Sequence, residues 1–375
     1  MTCPDCTYAA KFHSYQQRRL LTVHGEIQVQ RAYYYCGRCR QSFIPYDDVL
    51  GLVDDISPGL MPLVCLAGTL LPFADAAEDV LRRFAGVRVS ASTVLRCTEG
   101  AGERLRAQQQ AGKMVQPTQA ETKWTAPREA GQPAAYVGLD AFSVPMQGAG
   151  ATRADHRMLY TALLYTPQKE HTRYLVDFEL DVLAEQVRAQ ARAVGIAHVS
   201  DLIAVTDGGN GLEEALQRHL AENLTTILDW YHAAEQVCAF AKVWHARDEE
   251  ARTQWQHEAK GILYEQGGAA LLAHLQALAL PPRTPAEVRE ALRKLIGYFE
   301  NNRHRTDYPT YRAKGWDIGS GPTEAGCKII GERLKGSGMR WVEEGAATVA
   351  ALRALYVSGG KLWDGFWSQP HGQAA

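Results

Sequence analysis

The chain carries almost no net charge: 40 basic side chains are set against 42 acidic ones, a balance of −2. Bulk charge therefore neither demands nor excludes a nucleic-acid partner, and its distribution along the chain has to decide. No apolar leader opens the sequence, because Cys3, Asp5 and Cys6 lie where one would be. No apolar run reaches membrane length either. The longest uncharged stretch, Ile56 to Ala74, is interrupted by Pro58, Pro62 and Pro72, which leaves less than the ~20 residues of a spanning helix. It reads as a buried helix, with no membrane partner expected. No repeat at solenoid spacing occurs. Hydrophobic residues make up 46% and charged residues 22% of 375, which excludes extended disorder and fibrous folds. That length calls for more than one domain.

Eight cysteines in a chain of this size do not form a disulfide scaffold, and their spacing is more telling than their number. Four form two pairs, Cys3-x-x-Cys6 and Cys36-x-x-Cys39, around a strand-like stretch from Leu21 to Tyr35. Zinc takes four thiolates in a tetrahedron, and two such knuckles at the ends of a small sheet supply them. With all four positions filled by protein, the site would be structural. Neither pair follows a strand and opens a helix, which argues against a redox role. Cys65, Cys97, Cys238 and Cys327 are single and read as small core residues in a reducing compartment.

Seven segments follow from the punctuation. Residues 1–46 form the zinc ribbon. Residues 57–107 are helical, with a Gly86 break and then Ser90 or Ser92 capping a second helix. This is the outline of a helix-turn-helix, although any helical hairpin with a glycine turn shares it. Residues 108–134, rich in Gln, Pro and Gly, are a linker. Residues 135–232 read β-β-β-α-β-α-β. Residues 233–315 are all-α, with breaks at Gly267-Gly268 and Pro281-Pro282. Residues 316–357 return to the core, and 358–375 are a tail. The fold class is α/β and multi-domain, with a mixed-sheet core interrupted by the helical insertion.

Two buried-strand patterns end on acids: Tyr136 to Asp140, and Leu202 to Asp207. Strand-end aspartates often cap the next turn, and either one alone would be read that way. In a β-β-β-α-β order, however, the first and fourth strands can lie side by side. Two carboxylates at close range repel unless a cation sits between them, and Mg²⁺ takes such oxygen ligands. Glu324 is the third acid. It follows the turn Gly319-Ser320-Gly321-Pro322, where proline opens a helix. It either caps the helix amides or projects toward the two aspartates. Lys328 lies one turn further on the same face, and Arg333, Lys335 and Arg340 follow. Acids beside a basic patch suit a metal site next to a phosphate backbone.

Asp140, Asp207 and Glu324 on this strand order resemble the RNase H-like catalytic core of DDE transposases. The stretches Ile318-Gly319-Ser320-Gly321-Pro322-Thr323-Glu324 and Arg333-Leu334-Lys335-Gly336-Ser337-Gly338-Met339-Arg340-Trp341, with Tyr33-Tyr34-Tyr35-Cys36 and the Val89 to Val94 cap, are similar to bacterial insertion-sequence transposases of the Kra type and to Mutator-like relatives. The resemblance runs from about residue 3 to residue 357. Relatives of that type are expected to carry more chain ahead of Cys3.

The resemblance implies an enzyme that cleaves and transfers DNA strands at element ends. Two Mg²⁺ or Mn²⁺ ions about 3.5–4 Å apart would be held by Asp140, Asp207 and Glu324. Lys328, Arg333, Lys335 and Arg340 would grip phosphates. Asp229-x-x-His232 matches an accessory motif of these families, and a plain core histidine is the alternative. Expected partners are element-terminal and target DNA and at least a second copy of the chain, in the bacterial cytoplasm at the nucleoid. A catalytically silent DNA-binding derivative and a metal-dependent nuclease on the same fold are the rival readings.

Overall fold

The computed structural model describes residues 1–50, 55–118, 124, 135–148, 153–169, 171–196, 202–208, 211–220, 224–359 and 361–369. Most of the expected linker and the last residues of the tail lie outside this set, as do Gly209 and Asn210.

The N-terminal unit is a long hairpin of β1 (Lys11–Thr22) and β2 (Gly25–Tyr35), with the two-residue β3 (Ser42–Phe43) paired beside β2. Gly25 closes the turn at φ 104°, a conformation open to glycine at little cost. The hydrophobic alternation around Ile27 and Val29 marks β2 in the sequence. β1 has no such pattern (Lys-Phe-His-Ser-Tyr-Gln-Gln-Arg-Arg), because it is exposed along most of its length. Next come α1 (Pro45–Leu50), α2 (Met61–Leu70), α3 (Phe73–Asp75) running into a π-helical segment Ala76–Phe84, and α4 (Ala91–Gln110). Ser90 caps α4, its Oγ accepting the Thr93 amide at 3.1 Å.

The second sheet is built from β4 (Ala135–Gln147), β5 (Arg153–Tyr165), β6 (Thr172–Asp177), α5 (Leu180–Ala193), β7 (Leu202–Thr206), α6 (Leu212–His219) and β8 (Leu224–Leu228). Chain order is the β-β-β-α-β-α-β expected from the sequence. Sheet order is β6-β5-β4-β7-β8: β4, β5 and β6 pair antiparallel, and β7 and β8 run parallel to β4. One expectation needs correcting. β4 does not end at Asp140 but continues to Gln147 along β5, and it is the β7 ladder that stops at Leu139.

A helical block follows: α7 (Trp230–Trp244), α8 (Glu249–Gln266), α9 (Gly268–Gln276), α10 (Ala286–Asn301), a 3-10 turn at Arg303–Arg305 and α11 (Tyr308–Ala313). The chain closes with α12 (Gly321–Leu334), α13 (Glu343–Val357) and α14 (Leu362–Trp367). Successive strand residues face opposite sides, and the two sides have different covers. Val137, Leu139, Leu164 and Ala204 pack on Leu183 and Val187 of α5 and Leu216 of α6. Tyr136, Leu163, Ile203, Val205 and Ile227 pack on the helical block through Val237, Phe240, Leu295 and Phe299.

A third core joins helices from the two ends of the chain. Val64 of α2 and Val94, Cys97, Ala101 and Leu105 of α4 share it with Val144, Leu159, Ile330, Ala350 and Ala351. A helix, a glycine turn and a Ser90-capped helix occur within 57–107, and their apolar faces share this core with α13. Trp363 and Phe366 of α14 belong to the same core, so the expected tail contains a packed helix. No helix among the described residues is long and apolar enough to cross a membrane.

Candidate active site

Register brings the acids together. Leu139 pairs with Thr206, and Thr206 with Leu228. The residues next in line on these three adjacent parallel strands are Asp140, Asp207 and Asp229. The ladder extends to the last of them, since the Asp229 amide donates to the Thr206 carbonyl at 2.8 Å. By strand alternation all three point to the face under the helical block and α12.

Gly138 lets α12 reach that face. A Cβ there would sit 1.6 Å from Thr323 Oγ1, so only the bare backbone allows the first turn of α12 this close, two residues before Asp140. One turn along the helix, burial first and then the neighbouring Asp140 carboxylate push the Cys327 thiol well above its ordinary range. Asp140 therefore lies against α12, half-buried, and also accepts the Ala141 amide at 2.7 Å.

Asp229 is fully buried and caps the start of α7. Its Oδ1 accepts the His232 amide at 2.8 Å and its Oδ2 accepts the Ser320 amide. Burial alone would raise its pKa; the hydrogen bonds from His232 and Ser320 outweigh that and hold the carboxyl down to about 2. The His232 ring is the counter-charge, with Nδ1 3.4 Å from Asp229 Oδ1. Its contact with Asp229, against the opposing effect of burial, and the charges of Asp229, Asp207 and Glu235 raise its pKa to about 9. The Trp230 amide donates to the Ile318 carbonyl at 2.9 Å. The turn before α12 is thus stitched to the β8–α7 junction, and Ser320 Oγ donates to Glu324 Oε1 at 3.1 Å.

Among the described residues, two groups bring three or more candidate ligand atoms within 4.8 Å of one another: Asp229, His232 and Glu324, and the four paired cysteines. Asp140 and Asp207 flank the first group through the sheet register without joining it at that distance. Glu324 is exposed, as are Lys328 one turn on and Lys335 and Arg340 beyond the far end of α12. Arg333 does not meet its expectation. It is 3% exposed, donates from Nε and Nη2 to the Gly68 carbonyl of α2 at 3.0 and 2.9 Å, and lies over Phe73 and Trp341. It ties helices together and presents nothing to a phosphate. Asp229, read from the sequence only as an accessory residue, is the most enclosed acid of the set. Its Asp-x-x-His spacing marks a helix cap, but its alignment with Asp140 and Asp207 comes from β8 lying beside β7.

The cysteines form the second centre. Cys3 Sγ lies 3.5 Å from Cys39 Sγ, and Cys6 Sγ 3.5 Å from Cys36 Sγ. The two knuckles have matching backbones: the Thr7 amide donates to the Cys3 carbonyl, the Arg40 amide to the Cys36 carbonyl, and Thr7 and Arg40 adopt φ 58° and 59°. The amides of Cys39 and Arg38, working against burial, draw the Cys36 thiol down to about 6, whereas, against the Gln41 amide, burial and the neighbouring sulfurs push Cys39 up to about 12. Four converging sulfurs can hold a metal ion.

Comparison with known proteins adds one assignment. No curated protein matches the chain in a sequence search. The model of the Uncharacterised protein family (UPF0236) matches residues 8–371, a span holding all four acids, His232 and the second cysteine pair. The chain belongs to that family.

Proposed function

We propose that this protein is a DNA transposase, a metal-dependent phosphoryl transferase that cuts DNA at the ends of an insertion sequence and joins the ends to a target. The observation that carries this reading is the shared register of Asp140, Asp207 and Asp229, with Glu324 brought to the same face by α12. The order β6-β5-β4-β7-β8 supports an RNase H-like core, the fold that the sequence resemblance implies.

Carboxylates lined up across adjacent strands repel one another, and an all-oxygen donor set suits Mg²⁺ or Mn²⁺. Asp140, Asp207 and Glu324 would hold these ions. Bound there, they would activate water or a DNA 3′-hydroxyl and stabilise the leaving oxygen. The remaining work falls to the chain. Asp229, locked by Ser320 and His232, fixes the turn that aims Glu324. The His232 imidazolium offsets the charges of Asp229 and Asp207. Exposed Lys328, Lys335 and Arg340 supply contacts to the DNA backbone.

Zinc is the metal for the four cysteines. A tetrahedron with Zn–S bonds of 2.3 Å has edges of about 3.8 Å, close to the sulfur separations found. Cutting two ends together calls for at least two copies of the chain, working in the bacterial cytoplasm at the nucleoid.

The test is Mg²⁺-dependent nicking of end-containing DNA. Asp140→Ala, Asp207→Ala and Glu324→Ala are each expected to abolish cleavage while leaving DNA binding nearly intact, and wild type is expected to yield a strand-transfer product. Cleavage by the Asp207→Ala protein at the wild-type rate would remove this reading. Cleavage without strand transfer would point to a nuclease.

A further inference from the structure

The β1–β2 hairpin is held at both ends and open in the middle. At one end Cys3, Cys6, Cys36 and Cys39 converge. Near the turn, the Leu21 amide donates to the Asp55 carbonyl and the Ser57 amide to the Leu21 carbonyl, at 2.8 and 2.9 Å. A two-stranded ribbon is only marginally stable by itself. This one is fixed at both ends yet leaves one of its faces exposed over Gln17, Arg19, Gln28 and Gln30.

The two faces differ. Directly paired residues share a face, and the register pairs Tyr15 with Ala32, Gln17 with Gln30, and Arg19 with Gln28. Tyr15, Gln17, Arg19, Gln28 and Gln30 are all exposed. Among the described residues, the side-chain amides of the three glutamines have no hydrogen-bond partner. The opposite face holds Arg18 and Arg31, and both are consumed by acids: Arg18 pairs with Asp47 and Asp55, and Arg31 with Asp47. Asp47 and Asp55 therefore lie away from the glutamine face, where the sole acid among the described residues is Glu26 at the turn, 3.6 Å from Arg19. That pair is exposed on both sides and easily parted.

Glutamine pairs with the N6/N7 edge of adenine and arginine with the O6/N7 edge of guanine. The major groove, about 12 Å wide, admits a two-stranded ribbon. Same-face side chains along a strand are spaced by about 6.8 Å, close to two base-pair steps of about 3.4 Å each. We infer that the exposed face of this hairpin, through Gln17, Arg19, Gln28 and Gln30, reads base edges in the major groove of duplex DNA. The inference builds on the DNA reading of the acidic site. It also assigns sequence recognition to the hairpin rather than to α4, the second helix of the helix-turn-helix outline, which packs on α13.

The experiment uses the full-length protein in Ca²⁺ buffer without Mg²⁺. Its preferred duplex is first selected from a random pool. Binding to that duplex and to a scrambled one is then compared for Gln17→Ala, Arg19→Ala, Gln28→Ala and Gln30→Ala. At least two of the four are expected to lower discrimination about tenfold or more, with the glutamine variants changing scrambled-duplex affinity less than about threefold. Methylation of guanine N7 in the selected site is expected to block binding. These side chains are exposed, so folding is spared, and Gln17→Glu, equal in shape, is expected to be at least as damaging as Gln17→Ala. Unchanged discrimination in all four variants would overturn the inference even if cleavage persists, and so would failure to bind any duplex. Discrimination lost as expected in a protein that never cuts DNA would support the hairpin's role and remove the transposase reading instead.

Discussion

Asp229 and His232 show how one ion pair organises the site. The folded pKa of Asp229, about 2, lies below its ordinary 3.8. Its contribution to stability is complete above about pH 3.8 and is lost as pH falls through 2. The folded pKa of His232, about 9, lies above its ordinary 6.5. Its contribution is complete below about pH 6.5 and disappears as pH rises through 9. The pair thus stabilises the fold most between these limits. In urea melts without divalent ions, the midpoint difference between wild type and His232→Gln is expected to be largest near pH 6 and to shrink by about pH 9.5. The His232 side chain is 37% exposed, so solvent screening keeps the effect modest. A difference that grows with pH would contradict the assignment.

At the scale of elements, the hairpin is the unit most dependent on something other than apolar burial. Leu20 is the only buried apolar side chain in its two strands, accompanied by the paired Arg31. A metal bound by the four cysteines would supply the missing constraint, as in small domains that fold only with their ion. Cys36→Ser is expected to lose the metal, measured by elemental analysis, and to speed amide exchange across β1 and β2. Exchange in β4 to β8 should stay unchanged. Slow exchange kept in the metal-free hairpin would show that pairing alone suffices.

Over the whole molecule, Arg333 is a tie between distant parts of the chain. It joins α12, the helix carrying Glu324, to the Gly68 carbonyl of α2. Burial, then the nearby Arg353 charge, lower its pKa to about 10. Arg333→Ala is expected to cost about 1–3 kcal/mol, the penalty for stripping a buried carbonyl of its donors, and to make the 57–107 block more sensitive to protease. A DNA-contact role would instead leave stability intact and weaken binding. Gly102 marks the same seam: a Cβ there would come 2.5 Å from the Thr348 carbonyl oxygen, so α4 and α13 meet at bare backbone.

The features written locally were readable from sequence, because their causes act over a few residues. The two cysteine knuckles, the Ser90 cap, the breaks at Gly267-Gly268 and Pro281-Pro282 and the strand-helix order of the core are of this kind. So was the neighbouring of the first and fourth core strands, which chain order permits without proving. What required the tertiary structure was long-range. The three-aspartate row exists because β8 pairs with β7, and no local pattern encodes which strand lies at an edge. Arg333 looked like part of a basic patch, yet its guanidinium is buried by α2, a helix far away in sequence. β1 escaped notice because it buries almost nothing, and hydrophobic alternation records burial rather than pairing. Periodicity and capping report what each segment does with its own neighbours; which side chains converge on a single point is set by packing between segments.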